Sequence, residues 1–188
     1  MSRLLITALV LMLSGMGGAV HAQSDGAWQT MAFSDFREPS ANDPLQTVVW
    51  PDAIREANAY ASRELKKDLK GKNAWVTALA ARFEDKGRSI ILSTVLTRAC
   101  DTGANDARAG IERSICPLRI VQIDKGKATI LLREDRGCYI DPPDASLPPQ
   151  NQGDSVQARF DPATGLIQMR AIIGGKLIAD CSRSYPTR

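Results

Sequence analysis

The residues of this chain that could do chemistry are few. They are four cysteines (Cys100, Cys116, Cys138 and Cys181), one histidine (His21) and a short run, Asp101-Thr102-Gly103-Ala104. His21 sits in a segment that reads as a leader. Arg3 precedes the apolar run Leu4 to Leu13, and small residues lead to Val20-His21-Ala22-Gln23. That pattern predicts a secretory signal peptide over 1–22, cleaved after Ala22. Cleavage discards the only imidazole, which closes Ser-His-Asp and Cys-His nucleophile systems and every histidine-containing zinc or iron motif. No serine has a lysine three residues on, so the Ser-Lys alternative is missing, as are phosphate-cradling glycine motifs. Asp101, Asn105 and Asp106 do not have the spacing of a calcium loop. No metal and no cofactor is therefore expected.

The cysteines read as structural. An even number in an exported chain predicts two disulfides, because that compartment oxidises thiols. Of the three possible pairings, strand neighbourhood favours Cys100 with Cys116 and Cys138 with Cys181. In the chain-entropy model the shorter loop is worth about 3 kcal/mol. Asp101-Thr102-Gly103-Ala104 resembles the catalytic loop of retropepsin-like aspartic proteases, and Ile172-Ile173-Gly174 is similar to the apolar-apolar-glycine element late in that family. The resemblance spans at most residues 75 to 188 and places a flap at the Lys125-Gly126 hairpin. It implies a homodimer in which two copies of Asp101 share a proton and activate water, with Thr102 and Gly103 shaping the turn. The same tripeptide is also a good plain turn, an Asx side chain capping the bend and glycine supplying a positive φ. The turn is the preferred reading and the protease the alternative.

These residues need a scaffold. Residues 23–188 have the length of one domain, and their basic and acidic side chains nearly balance, which argues against nucleic acid as the main partner. No second apolar run has transmembrane length. The segment 23–50, with Pro39, Pro44, Trp28, Phe33 and Phe36, lacks periodicity and is expected to run over the surface. From Pro51 the spacing of Ile54, Ala57, Ala61, Leu65 and Leu69 predicts a helix ending at Gly71. Its face with Arg63, Lys66, Lys67 and Lys70 is interleaved with acids and reads as solvated.

After Gly71 the period becomes two. Trp75 to Phe83 and Ser89 to Thr97 form one hairpin, and Ile115 to Ile123 with Ala128 to Arg133 a second. Pro117, which lacks a donor, marks an edge or a bulge. Tyr139 and Ile140 make a short strand, and a proline-rich loop runs from Asp141 to Gly153. Ser155 to Phe160, Leu166 to Ile173 and Lys176 to Cys181 complete the chain. Trp75 is in phase with the apolar side of its strand and is assigned to the core, whereas Trp50, in a loop, is the more open.

The expected fold class is α+β over 51–188: an N-terminal helix packed on one curved antiparallel sheet of about seven strands in meander hairpins, stabilised by disulfides. Elimination and format predict a non-enzymatic protein of the periplasm, with release outside the cell as second choice. Its role would be to bind an envelope or secreted protein as an inhibitor or immunity protein. The candidate contact residues are Asp101, Asn105, Asp106, Asp141 and Asp144, chosen by loop length, and Trp50, an aromatic in the loop before the helix.

Overall fold

The computed structural model describes residues 26–101, 113–140 and 153–187. Nine strands form two antiparallel sheets. β1 (Gln29–Thr30), β7 (Ser155–Asp161), β8 (Leu166–Ile173) and β9 (Lys176–Pro186) make a four-stranded sheet in the order β1-β7-β8-β9. β2 (Ala32–Asp35), β3 (Thr77–Asp85), β4 (Arg88–Leu96), β5 (Ser114–Asp124) and β6 (Lys127–Tyr139) make a five-stranded sheet in that order. A turn of π-helix (Leu45–Val49) leads into α1 (Pro51–Arg63), the one α-helix among the described residues.

Four of the strand connections are tight, and three of those share one chemistry. Lys86-Gly87, Lys125-Gly126 and Gly174-Gly175 all take positive φ at both positions. A two-residue loop of that kind matches the right-handed twist of the strands it joins, and glycine removes most of the steric cost. Gly137 is a glycine for a different reason. A Cβ there would lie 2.8 Å from Leu118 Cβ and 2.9 Å from Thr94 Oγ1. It sits beside the register shift between Cys116 and Leu118, where Pro117 interrupts the ladder. The proline is thus housed by a bulge inside the sheet, because β5 pairs on both sides.

The expectation of one curved sheet of about seven strands carrying a helix is overturned. The molecule is mostly β, with sheets of four and five strands. Two elements make the difference. The segment before Pro51 contributes β1 and β2, and the chain changes sheet between them at buried Met31, whose N–H donates to Val156 O at 2.8 Å. The last three strands pair among themselves and with β1, and no ladder joins them to β6. Tyr139 is the end of β6, with Ile140 just beyond it, and not a separate strand.

Burial follows from this layering. The apolar faces of the two sheets meet in one core, with Leu79, Ile90, Leu92, Leu118 and Ile120 against Val156, Phe160, Ile167, Met169 and Tyr185. The other face of the five-stranded sheet packs Val76, Ala78, Ile91, Val95 and Val121 against Phe36, Val49, Trp50 and Ile54. β4 is covered on both faces, which is why Ile90 to Val95 is buried without alternation. β7 and β8 alternate strictly between buried and partly exposed residues, as strands covered on one face do. Helix, five-stranded sheet and four-stranded sheet therefore form three layers.

The helix ends sooner than its apolar spacing predicts. Lys66 takes φ 52°, and Lys67 N–H donates to Ala61 O at 3.0 Å. That bond spans six residues, one more than a Schellman bond, and with the left-handed residue just before it turns the chain off the helix. Leu65 is left exposed beyond the last helical turn.

Candidate functional site

Cys100 bonds Cys116, and Cys138 bonds Cys181. The first bridge closes the turn after β4 onto β5. The second joins β6 of one sheet to β9 of the other, so it ties layers and not neighbouring strands. Asp101 follows the first bridge. Its N–H donates to Ile115 O at 2.8 Å and its carbonyl accepts from Ile115 N–H at 3.0 Å, while the residue itself is exposed. Thr102, Gly103, Asn105, Asp106, Asp141 and Asp144 lie outside the described residues. The signal peptide over 1–22 lies outside them as well.

Trp50 is not open. It is 1% exposed, at the junction of the π-turn and α1, and its indole Nε1–H donates to Ser93 Oγ at 2.8 Å. Ser93 Oγ–H in turn donates to Leu79 O at 3.0 Å. Arg119, on β5, lays its guanidinium 4.3 Å from the Trp50 ring centroid and forks onto Asp52, Nη1 to Oδ1 at 2.7 Å and Nη2 to Oδ2 at 2.6 Å. The same Nη1 also reaches Val49 O. Asp52 lies in the first turn of α1, and the Arg119 hydrogen bonds hold its carboxyl down to about 2 against a smaller opposing cost of desolvation. The Trp50 indole, the Ser93 hydroxyl, both Asp52 oxygens and both terminal nitrogens of Arg119 have partners within the protein. The cluster pins the helix to the sheet, and that explains why a tryptophan in a sequence loop is buried.

Trp75 is the reverse correction. Placed in the core by its phase, it is 64% exposed. It lies two residues before β3, past the end of the covered ladder, so alternation no longer reports burial there. Its backbone is nonetheless held on both sides. Asn73 N–H donates to Arg37 O at 2.9 Å, Ala74 N–H to Asn58 Oδ1 at 2.6 Å, and Phe36 N–H to Val76 O at 3.0 Å. Asn58 reaches in from α1 and also donates to Asn73 Oδ1 at 3.0 Å.

The antiparallel registers place several chain segments at this same end of the five-stranded sheet. Asp35 pairs with Thr77, Thr77 with Leu96, and Ser114 with Tyr139. Trp75, the 97–101 turn, Arg113 and Ile140 thus share one rim, and 44% exposed Phe33 lies two pairs inward on the edge strand β2. Asp35 and Arg37 form an ion pair there, whose hydrogen bonds lower the Asp35 carboxyl and raise the Arg37 guanidinium. Arg98 stacks 3.7 Å from the Tyr60 ring centroid, joining the 97–101 turn to the helix. The rim combines exposed aromatic surface with a backbone fixed by hydrogen bonds, a disulfide and an ion pair. Such an arrangement can dock a partner with little ordering cost.

No group of His, Cys, Asp and Glu among the described residues is arranged to hold a metal. No helix among them is long and apolar enough to cross a membrane, and two disulfides are compatible with an exported protein. The chain matches no protein-family model, no curated protein and no solved structure.

Proposed function

We propose that this is an exported, non-enzymatic binding protein that inhibits or neutralises an envelope or secreted protein through the rim around Trp75. The observation that supports it is a large indole held in solvent by a backbone that cannot collapse to bury it. Exposed tryptophan on a rigid frame is the usual composition of an interface hot spot, and arginine beside it is the next most frequent. Phe33 and the Asp35–Arg37 pair extend the surface along the edge strand. The two disulfides fix the scaffold behind the rim, which lowers the entropy lost on docking.

The test is photocrosslinking from position 75 in cells that secrete the protein, with a crosslinker at Lys86, on the opposite end of β3, as the control. A discrete adduct from position 75 alone identifies the partner. Its affinity in purified form is then measured against Trp75→Ala, which is expected to cost about 2 kcal/mol or more, roughly thirtyfold. No discrete adduct, or an affinity unchanged by Trp75→Ala, would refute the reading.

A further inference from the structure

Among the described residues no layer covers the outer face of the four-stranded sheet, and its half-buried polar residues are arranged around a second tryptophan. Gln157 and Arg159 of β7 face outward beside Arg170 and Gln168 of β8, in the cross-strand pairs Gln157–Arg170 and Arg159–Gln168. Trp28, just before β1, holds both guanidinium groups against its ring, Arg170 Cζ at 4.0 Å and Arg159 Cζ at 4.9 Å from the centroid. Arg170 Nε–H donates to Gln157 Oε1 at 2.9 Å, and Arg159 Nε–H donates to Gln168 Oε1. Each cation is therefore stacked on a ring and steered by a neutral carboxamide that leaves its charge intact.

The carboxylates near this face are hydrogen-bonded to other groups, although Asp161 also feels the charge of Arg159 through space. Asp161 accepts from Ala163 N–H at 2.9 Å and from Thr164 Oγ1–H at 2.7 Å, which closes the β7–β8 turn. Asp154 accepts from Gly174 N–H at 2.6 Å, and Asp180 accepts from Arg113 at 3.2 Å. Among the described residues, neither Arg159 nor Arg170 forms an ion pair.

We propose that Trp28, Arg159 and Arg170 form a binding site for the phosphate group of a small soluble phosphomonoester. Two guanidinium groups match the near-double negative charge of a phosphomonoester, where a single carboxylate would leave one cation uncompensated. With Nε committed to glutamine, the Nη hydrogens remain to grip the oxygens, and planar fork geometry suits phosphate better than a point charge does. The Trp28 ring fixes the guanidinium planes before the ligand arrives, so little side-chain entropy is lost on binding. This site is independent of the rim around Trp75.

The test is an NMR titration of the oxidised protein with glucose 6-phosphate, following the Trp28 indole N–H and the Arg159 and Arg170 Nε–H resonances. Glucose, and sodium chloride at matched ionic strength, serve as controls. Saturable shifts with the phosphate ester alone are expected. Arg159→Gln and Arg170→Gln should each weaken binding about tenfold, the loss of one charge-assisted contact. An unmoved Trp50 indole resonance shows that each variant keeps its fold. Equal shifts with chloride, or shifts that survive both substitutions, would reduce the face to a diffuse positive patch and overturn the proposal. Binding to phosphatidic acid vesicles without binding to glucose 6-phosphate would overturn it too, since the ligand would then be a membrane headgroup.

Discussion

Two outer faces of this molecule carry the same pair of residue types and use them differently. On the five-stranded sheet Arg119 stacks on Trp50, and Asp52 closes the fork. On the four-stranded sheet Arg159 and Arg170 stack on Trp28, and glutamines take the place of the carboxylate. The first set joins the helix to the sheet, and a carboxylate meets its guanidinium charge. Among the described residues no layer covers the second, and neither of its guanidinium groups forms an ion pair. A Trp–Arg contact is thus a rivet or a receptor according to what occupies the rest of the guanidinium and whether a layer covers the ring.

That contrast can be broken at its strong end first. Trp50→Ala should cost about 3–5 kcal/mol in urea denaturation, whereas Trp28→Ala, losing mainly exposed cation–π contacts, should cost about 1 kcal/mol or less. Comparable losses at the two sites would erase the distinction. The disulfides come next. Removing Cys138–Cys181, which joins the layers across a separation of 43 residues, should cost about 4 kcal/mol. Removing Cys100–Cys116, across 16 residues, should cost about 3 kcal/mol. Thermal melts of the paired Cys→Ala variants measure both.

Asp52 gives a smaller effect with a defined pH signature. Its carboxyl is held at about 2 in the folded state, below the value near 4 of an unfolded chain. Its contribution is therefore fully present above pH 4 and is lost as pH falls through 2. Because the side chain is 45% exposed, solvent screening reduces that contribution to about 1 kcal/mol. Asp52→Asn should lower stability by this amount at neutral pH, with the difference from the unmodified protein vanishing towards pH 2. The smallest change sharpens the contrast most. Gln157→Glu sets a carboxylate against Arg170 and should shift stability by no more than about 0.5 kcal/mol in urea denaturation at moderate salt. In the same variant, binding of glucose 6-phosphate should weaken about tenfold, as it does when Arg170 loses its charge.

How far the sequence could be read is best seen in the tryptophans. Trp75 is in phase with Thr77 and Leu79, and the phase is right, yet it stands past the end of the layer that covers them. Trp50 stands four, seven and eleven positions before Ile54, Ala57 and Ala61, in phase with the apolar stripe of the helix, and its hydrogen bond to Ser93, 43 positions away, completes the reason it is buried. Trp28 carried a signal that went unused. The alternation of Gln157, Arg159, Gln168 and Arg170 with apolar residues marks an uncovered face that an aromatic could join. The apolar run Ile90-Ile91-Leu92 likewise pointed to a strand covered on both faces, hence to more than one sheet. Of the candidate contact residues, Trp50, picked as an aromatic in a loop, is interior.

The sequence by itself determined the local geometry: which residues share a strand face, where Lys-Gly and Gly-Gly reverse the chain, and where Pro51 starts a helix. Those features depend on φ preferences and on a period of two, which need only near neighbours. Tertiary structure alone decided which edges pair, and therefore that nine strands divide into sheets of five and four. A strand's period is identical in one sheet or two. What separates them is the buried crossing at Met31 and the two apolar faces that must cover each other, and both depend on residues far apart in the chain. The same long-range packing made one tryptophan a rivet, left a second half-buried under two arginines and a third facing water.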